Sequence, residues 1–314
     1  MSICRINHAL NDLLLDIHAA SMSLPSDEFE RHTLERVRSV IDFDFAIWGA
    51  GDGMNRELHS AHVIDQTDKL FNTWEPVKEV DPFANLVIGN TGQTWTTDQV
   101  PDFHHARAYR EHWGLYRART MIATMKIDPE TGLHVFITLA RDLPNTRFSH
   151  ADVELKNIIT QHLFLAARHN DQRQLTTCEG PVALLDAKGL VHASTPVFRD
   201  LVAQEWGRPA AKRLPDAVNE RLWCEGEYRS AFLSLSTEPS GSRLLVRIRY
   251  KPPQPLSPRE MEIAIAYAHG QSYKEVAQDL GLSPTTVRSH LSRAYQKLSI
   301  RDKGALATWL GNQS

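Results

Sequence analysis

Apolar positions along the chain change period several times, and each change predicts a different element. The N-terminal stretch "MSICRINHALNDLLLDIHAA" interrupts its apolar residues with charges, so it predicts an amphipathic helix rather than a signal peptide. In "SDEFERHTLERVRSVI" the apolar residues Phe29, Leu34, Val37 and Ile41 fall near one helical face. The stretches "DFAIWGAG" and "LHSAHVI" then predict two strands joined by a Gly-rich turn. Alternation returns in "TMIATMKID" and "LHVFITLAR", and the intervening "PETG" makes them a hairpin. A long amphipathic helix is predicted over "SHADVELKNIITQHLFLAAR". Ser149 caps its start, and Val153, Leu155, Ile158, Ile159, Leu163 and Ala166 form its apolar face. Strands in the middle with helices at both ends predict an α+β sensor-like domain.

Further on, "PVALLDAKGLVHAS" predicts strand, turn at Asp186–Gly189, strand; "TPVFRDLVAQEW" a helix; and "SRLLVRIRY" a closing strand. The polar stretch "ARHNDQRQLTTCEG" is a weak break. The proline-rich "YKPPQPLSPRE" is a stronger one and predicts a stiff linker. These breaks divide the chain into 1–172, 173–252, a proline-rich linker at 253–256, and 256–314.

The last segment is punctuated by caps. Ser257 and Glu260 form a capping box with Pro258 at the first helical position. Gly270 can end that helix in a left-handed conformation. Ser272 and Glu275 form a second box, Gly281 closes its helix, and Ser283-Pro284 opens a third. Helix, short turn and helix, with one more helix on either side, is a helix-turn-helix pattern. At ~100° per residue, Val287, Leu291, Ala294 and Leu298 share one stripe of the third helix. Thr285, Arg288, Ser289, Ser292 and Gln296 gather opposite, with chemistry suited to base edges and phosphates. Ser283, Thr285 and Thr286 stand at the helix N-terminus, where an anion is favoured. A polar stripe alone is more often a solvated face; the three ordered caps shift that balance.

Charge and composition add limits. The 314 residues carry a net charge of -3, but 256–314 holds seven Lys/Arg against five Asp/Glu. That modest excess neutralises few phosphates, so two copies on one site are expected. No apolar run approaches the ~18 residues of a membrane span. Cys4, Cys178 and Cys224 are far apart and odd in number; they predict packed free thiols and a reducing cytoplasm. His104, His105, His112 and Asp102 have no standard metal spacing, and no catalytic or cofactor motif stands in a fitting context.

At "LSPREMEIAIAYAHGQSYKEVAQDLGLSPTTVRSHLSRAYQKLSIRDKGAL" the chain resembles the LuxR-type helix-turn-helix of bacterial transcription regulators. The resemblance rests on Leu256, Arg259 and Glu260; on Lys274-Glu275-Val276-Ala277; on Ser283, Thr286-Val287-Arg288 and His290; and on Lys297-Leu298. Tyr273 stands where the family usually has asparagine, and Tyr295 where an aliphatic residue is common. The resemblance implies base-facing roles for Arg288, Ser289 and Ser292. It places Lys274, Thr285, Thr286, His290 and Lys297 near phosphates, with a dimer contact around Ala305–Leu310. With Ser283 and Arg293, these residues form the expected DNA-contacting set.

The front segment resembles GAF-type sensory domains and, in its second half, the acyl-homoserine-lactone-binding fold of LuxR-type quorum regulators. Asp81-Pro82 followed by Trp95 is similar to the latter, but that family's spaced tyrosines are missing near Trp74. The segment 173–252 resembles a truncated PAS domain. Aromatic residues are frequent in the front segment, and Phe45, Trp48, Trp74, Asp81, Trp95, Tyr109 and Trp113 are its candidate ligand contacts. Aromatics are equally ordinary core.

The expected protein is therefore multidomain: an α+β GAF-like domain, a small PAS-like α+β segment and an all-α four-helix LuxR-type domain. The expected function is a cytoplasmic, ligand-controlled regulator that is not an enzyme and needs no cofactor or metal. Its expected partners are double-stranded DNA, a second copy of itself, an unidentified small molecule and RNA polymerase. Alternatives are a sensor acting through protein contacts and a lactone-type quorum regulator.

Overall fold

The computed structural model describes residues 3–53, 55–142, 146–230, 232–250, 255–298, 300 and 302–311, with side chains from His8 onward. They form two compact units: Met1–Trp223 with Thr237–Arg247, and Cys224–Ser236 with Ile248–Ser314.

In the first unit, α1 (Ile3–Ser23) and α2 (Ser26–Val37) precede β1 (Phe45–Gly51) and β2 (Leu58–Ile64). Then come α3 (Leu70–Trp74), α4 (Pro82–Gly89), β3 (Thr94–Thr96), α5 (Arg107–Glu111), β4 (Thr120–Ile127), β5 (His134–Arg141) and α6 (His150–Thr176). The five strands form an antiparallel sheet in the order β2-β1-β5-β4-β3. Both faces are covered, because the apolar residues of its strands point both ways. Ala46, Trp48, Ile122, Ile137 and Leu139 pack with α1, α2 and α6. Phe45, Ile47, Met121 and Ala123 pack on the other face with Leu70, Phe83 and Trp113. Gly49 is required where it stands: an added Cβ would lie 2.4 Å from the Phe136 ring.

Helix α6 departs from the predicted face. Ile159, Leu163 and Ala166 are buried, but Ile158 is 44% exposed, and Val153 and Leu155 are half-buried. The inward stripe is 156, 159, 163, 166 and 170, so Lys156 and Asn170 face inward. The polar stretch expected to break the chain is helical as far as Thr176. Its polar side chains have partners: Asn170 Nδ2 donates to the carbonyls of Ser21 (3.0 Å) and Leu24 (2.7 Å), and Arg173 donates to the same two.

A second antiparallel sheet has the order β7-β6-β10-β9-β8. Its strands β6 (Val182–Leu185), β7 (Val191–Ser194) and β10 (Arg243–Tyr250) follow the sequence pattern, as does α7 (Pro196–Trp206). The elements α8 (Asp216–Glu225), β8 (Glu227–Arg229) and β9 (Leu233–Ser240) were not evident from it.

The C-terminal helices are α9 (Pro258–Ala268), α10 (Tyr273–Asp279), α11 (Pro284–Leu298) and α12 (Lys303–Gly311). Within the expected linker, 253–254 lie outside the described residues. Cys178 is half-buried and Cys224 is exposed rather than packed; both are free, and the Cys4 side chain lies outside the described residues. No described helix is long and apolar enough to cross a membrane.

Candidate functional site

The helix-turn-helix is set by its caps. Ser257 N donates to Glu260 Oε2 (2.8 Å) and Glu260 N to Ser257 Oγ (3.3 Å). Ser272 and Glu275 repeat the exchange at 2.7 and 3.4 Å. Thr286 N donates to Ser283 Oγ at 3.1 Å, which starts α11. Between α10 and α11, Gly281 adopts φ +62° and Leu282 N reaches back to the Ala277 carbonyl (2.8 Å). Arg259 Nη2 donates to the Leu280 carbonyl at 2.7 Å, satisfying the C-terminal end of α10. The aliphatic stripe Val287, Leu291, Ala294 and Leu298 is buried.

The opposite stripe of α11 is open. Thr285, Arg288, Ser289, Ser292 and Arg293 are exposed, as are Ser283 and, from α10, Lys274. Thr286 and His290 are half-buried; the Thr286 hydroxyl lies 2.8 Å from Ser283 Oγ, and His290 Nδ1 has no partner among the described residues. Lys297 is half-buried and engaged within the domain. Its Nζ lies 2.6 Å from Glu260 Oε2 in α9. That hydrogen bond, with the one from the Ser257 backbone, holds the buried Glu260 carboxyl down at about 2.

Tyr273 shows what its departure from the family pattern does. Its ring stacks on Tyr267 (4.9 Å, 22°), and the two hydroxyls are 3.1 Å apart. The Arg288 guanidinium lies 5.1 Å over the Tyr273 ring, and Lys303 Nζ 4.4 Å over Tyr267. Such exposed cation–π contacts contribute about 0.5–1 kcal/mol. If α11 reads DNA, Tyr273→Ala should therefore weaken that binding by roughly 2–5-fold in a titration, while Tyr273→Phe keeps the ring and changes little. Equal losses in both variants would show that the hydroxyl, not the ring, matters.

In the front domain, the seven aromatic and acidic candidates divide. Trp48 is on the α2/α6 face of the sheet, packed edge-to-face with Phe29 and Phe164. Phe45, Trp74, Trp95, Tyr109 and Trp113 belong to the other face's core. Of the seven, only Trp74 and Trp113 line the apolar cavity of ≈ 90 Å³ on that face. Asp81 stands beside them: its Oδ2 accepts from Trp74 Nε1 (3.1 Å) and Trp113 Nε1 (2.8 Å). Its Oδ1 accepts from the Phe83 and Ala84 backbone N–H groups and caps α4. The carboxylate thus orients both indoles. Trp95 Nε1 is directed away, to the Asn90 carbonyl, and Tyr109 packs on Phe103 and His104.

Phe71 and Phe83, two further aromatics of the segment that the sequence offers for a pocket, also line it; Ile47, Leu70, Val87, Phe136 and Thr138 were not foreseen. Most are aliphatic or scattered over helix and strand, so only the folded sheet gathers them. Nearby, His112 is fully buried, and burial lowers its pKa to about 4. Its Nδ1 lies 2.9 Å from Thr73 Oγ1, and its Nε2 has no partner among the described residues.

Comparison with known proteins adds a name for one part. The family "Bacterial regulatory proteins, luxR family" matches residues 254–310. The "Probable HTH-type transcriptional regulator GfsR" of Streptomyces halstedii is 45% identical over 58 residues, covering 18% of this chain and 24% of that protein. The "Probable transcriptional regulatory protein NarL" of Mycobacterium tuberculosis is 41% identical over 61 residues, covering 19% and 28%. The chain thus spans about a quarter of the length of the curated relatives it matches. Escherichia coli SdiA superposes over 95% of both chains at 13% identity with a TM-score of 0.37, too loose to carry an argument. Capped helices, a short glycine-closed turn, an exposed polar stripe and the family match agree: residues 254–310 are a LuxR-type helix-turn-helix domain.

Proposed function

We propose that the chain is a cytoplasmic transcription regulator whose DNA affinity is set by a small molecule in the front domain. The carrying observation is α11: one stripe buried as core and the other, from Thr285 to Arg293, left exposed on a fully capped frame. In this reading Arg288, Ser289 and Ser292 meet base edges in the major groove. Lys274, Ser283, Thr285, Thr286, His290 and Arg293 meet phosphates, and Lys297 acts mainly by holding Glu260. Two copies read one operator, because one copy neutralises few phosphates. RNA polymerase is the partner such a regulator would address. Two antiparallel sheets flanked by helices support the GAF-like and PAS-like readings of the front and middle segments.

The apolar cavity supports a ligand that is mostly hydrocarbon, bounded by the indoles of Trp74 and Trp113. At ≈ 90 Å³ it is smaller than a cavity of about 150 Å³ that holds benzene. A lactone with a long acyl chain would need the cavity to widen, so a short apolar ligand fits this conformation better.

The test is a selected operator bound by wild type and by Arg288→Ala. The variant should lose about 1–3 kcal/mol of discrimination against one substituted base pair. Unchanged discrimination would favour a sensor that works through protein contacts.

A further inference from the structure

A second cavity lies on the opposite face of the front sheet, and it is built differently. It measures ≈ 180 Å³ and has an aromatic wall of Trp48 and Phe164, whose rings are 6.3 Å apart and edge-to-face. Leu133 and Val135 extend the apolar side. The polar side is deep: Glu30 from α2, Asp171 from α6, and Arg243 from β10.

In the deep part the carboxyl groups outnumber the cation. Lys126 also lines the cavity, with its Nζ 3.4 Å from Gln161 Oε1, and Asp128 accepts from the Glu130 and Thr131 backbone N–H groups. His192, held below its ordinary pKa by burial, faces Asp186 at 3.0 Å. Arg243 Nη1 lies 2.7 Å from Asp171 Oδ1, a strong contact. Its Nη2 is 3.5 Å from Glu30 Oε1, at the limit of a hydrogen bond. One guanidinium therefore serves two carboxyl groups. The other oxygen of Glu30 faces His62 Nε2 at 3.2 Å, and burial holds that imidazole below its ordinary pKa and uncharged at neutral pH. Asp27, one turn before Glu30, adds a third acid, engaged by Ser242. At the rim Arg168 is taken by Glu130.

We propose that this cavity binds a small organic cation, a primary amine with an aromatic or branched body. The ammonium would lie against Glu30 and Asp171, taking the place of the proton that Glu30 otherwise holds. The body would lie on Trp48 and Phe164, where a cation beside an aromatic face gains further attraction. The size suits a single ring, since a cavity of about 150 Å³ holds benzene. A carboxylate ligand is disfavoured: it would add a negative charge beside Asp171 and compete for a guanidinium already engaged. The site is distinct from the apolar cavity, which lies across the sheet and lacks charge in its lining.

A second consequence concerns protons. Burial raises Glu30 to about 8 against the opposing pull of Arg243, with Asp171 and Asp27 adding to the rise. The empty site is thus mostly protonated at pH 7, and an arriving ammonium exchanges for that proton.

Calorimetric titration of the full chain with phenethylammonium and isoamylammonium tests this. Saturable one-to-one binding is expected, with proton release at pH 7 that shrinks at pH 9, read from buffers of different ionisation enthalpy. Glu30→Gln should weaken binding at least tenfold, and 3-phenylpropionate should bind far more weakly. Phe164→Leu gives a second reading if Glu30→Gln does not fold. Val87→Trp, which fills the apolar cavity, should leave amine binding intact. The proposal is overturned if neither amine saturates, if the acid binds as well, if both Glu30→Gln and Phe164→Leu bind as wild type, or if Val87→Trp abolishes binding. No arm uses DNA, so failure of the regulator reading is scored separately.

Discussion

Arg243→Ala should destabilise the unit holding the front sheet by about 3–5 kcal/mol, read as a lowered urea midpoint. The guanidinium is 7% exposed, and its ionic partner at neutral pH is Asp171. Glu30, raised to about 8, is the protonated neighbour. Removing the cation leaves the half-buried Asp171 with, among the described residues, Ser26 Oγ at 2.9 Å as its donor. The same substitution loosens the turn between β9 and β10. That turn is held by Ser240 Oγ on Gln174 Oε1 (2.7 Å) and by Ser242 on Asp27, so amide exchange should accelerate first around Ser242–Val246. Pairing Arg243→Ala with Asp171→Ala should recover much of the loss, because no lone charge remains. A single-variant cost under 1 kcal/mol, or costs that simply add, would show that the pair carries little.

The contrast between the two ends of the chain explains what could be read in advance. In 256–311 the information is local. Serine and glutamate three apart, proline at the first helical position and glycine after the last each fix a boundary without distant contacts. The front sheet was legible as elements, because alternation in β1, β4 and β5 is also local. Which residues meet was not legible. Trp48 and Phe45 are three apart in one strand and therefore point to opposite faces, which separates Trp48 from the other candidates. The polar end of α6 looked like a loop because its partners, the Ser21 and Leu24 carbonyls, are about 150 residues away. Strands β8 and β9 gave no clear apolar pattern; their order comes from pairing, β9 with β10 and β8 with β9.

Lys156 is the largest conflict between pattern and structure, and it predicts a pH dependence. On the inward stripe of α6 it is 1% exposed, and no carboxylate pairs with it among the described residues. Its Nζ donates to Thr124 Oγ1 (3.1 Å), the Ile137 carbonyl (2.9 Å) and Thr160 Oγ1 (3.1 Å). Burial lowers its pKa from 10.5 to about 7. Between those values the unfolded chain binds more protons than the folded one, so stability rises with pH, by up to about 1.4 kcal/mol per unit. Below about 7 both states are protonated and this contribution is flat. Lys156→Met keeps the length of the side chain and removes the ionisable group. Its stability should lack the rise between pH 7 and 10. At pH 7 the variant should match or exceed wild type by about 1–2 kcal/mol, since the desolvation cost disappears while three acceptors lose one donor. Denaturation midpoints across that range decide it. Parallel pH profiles for the two proteins would mean that Lys156 stays protonated in place, its three acceptors stabilising the charge fully.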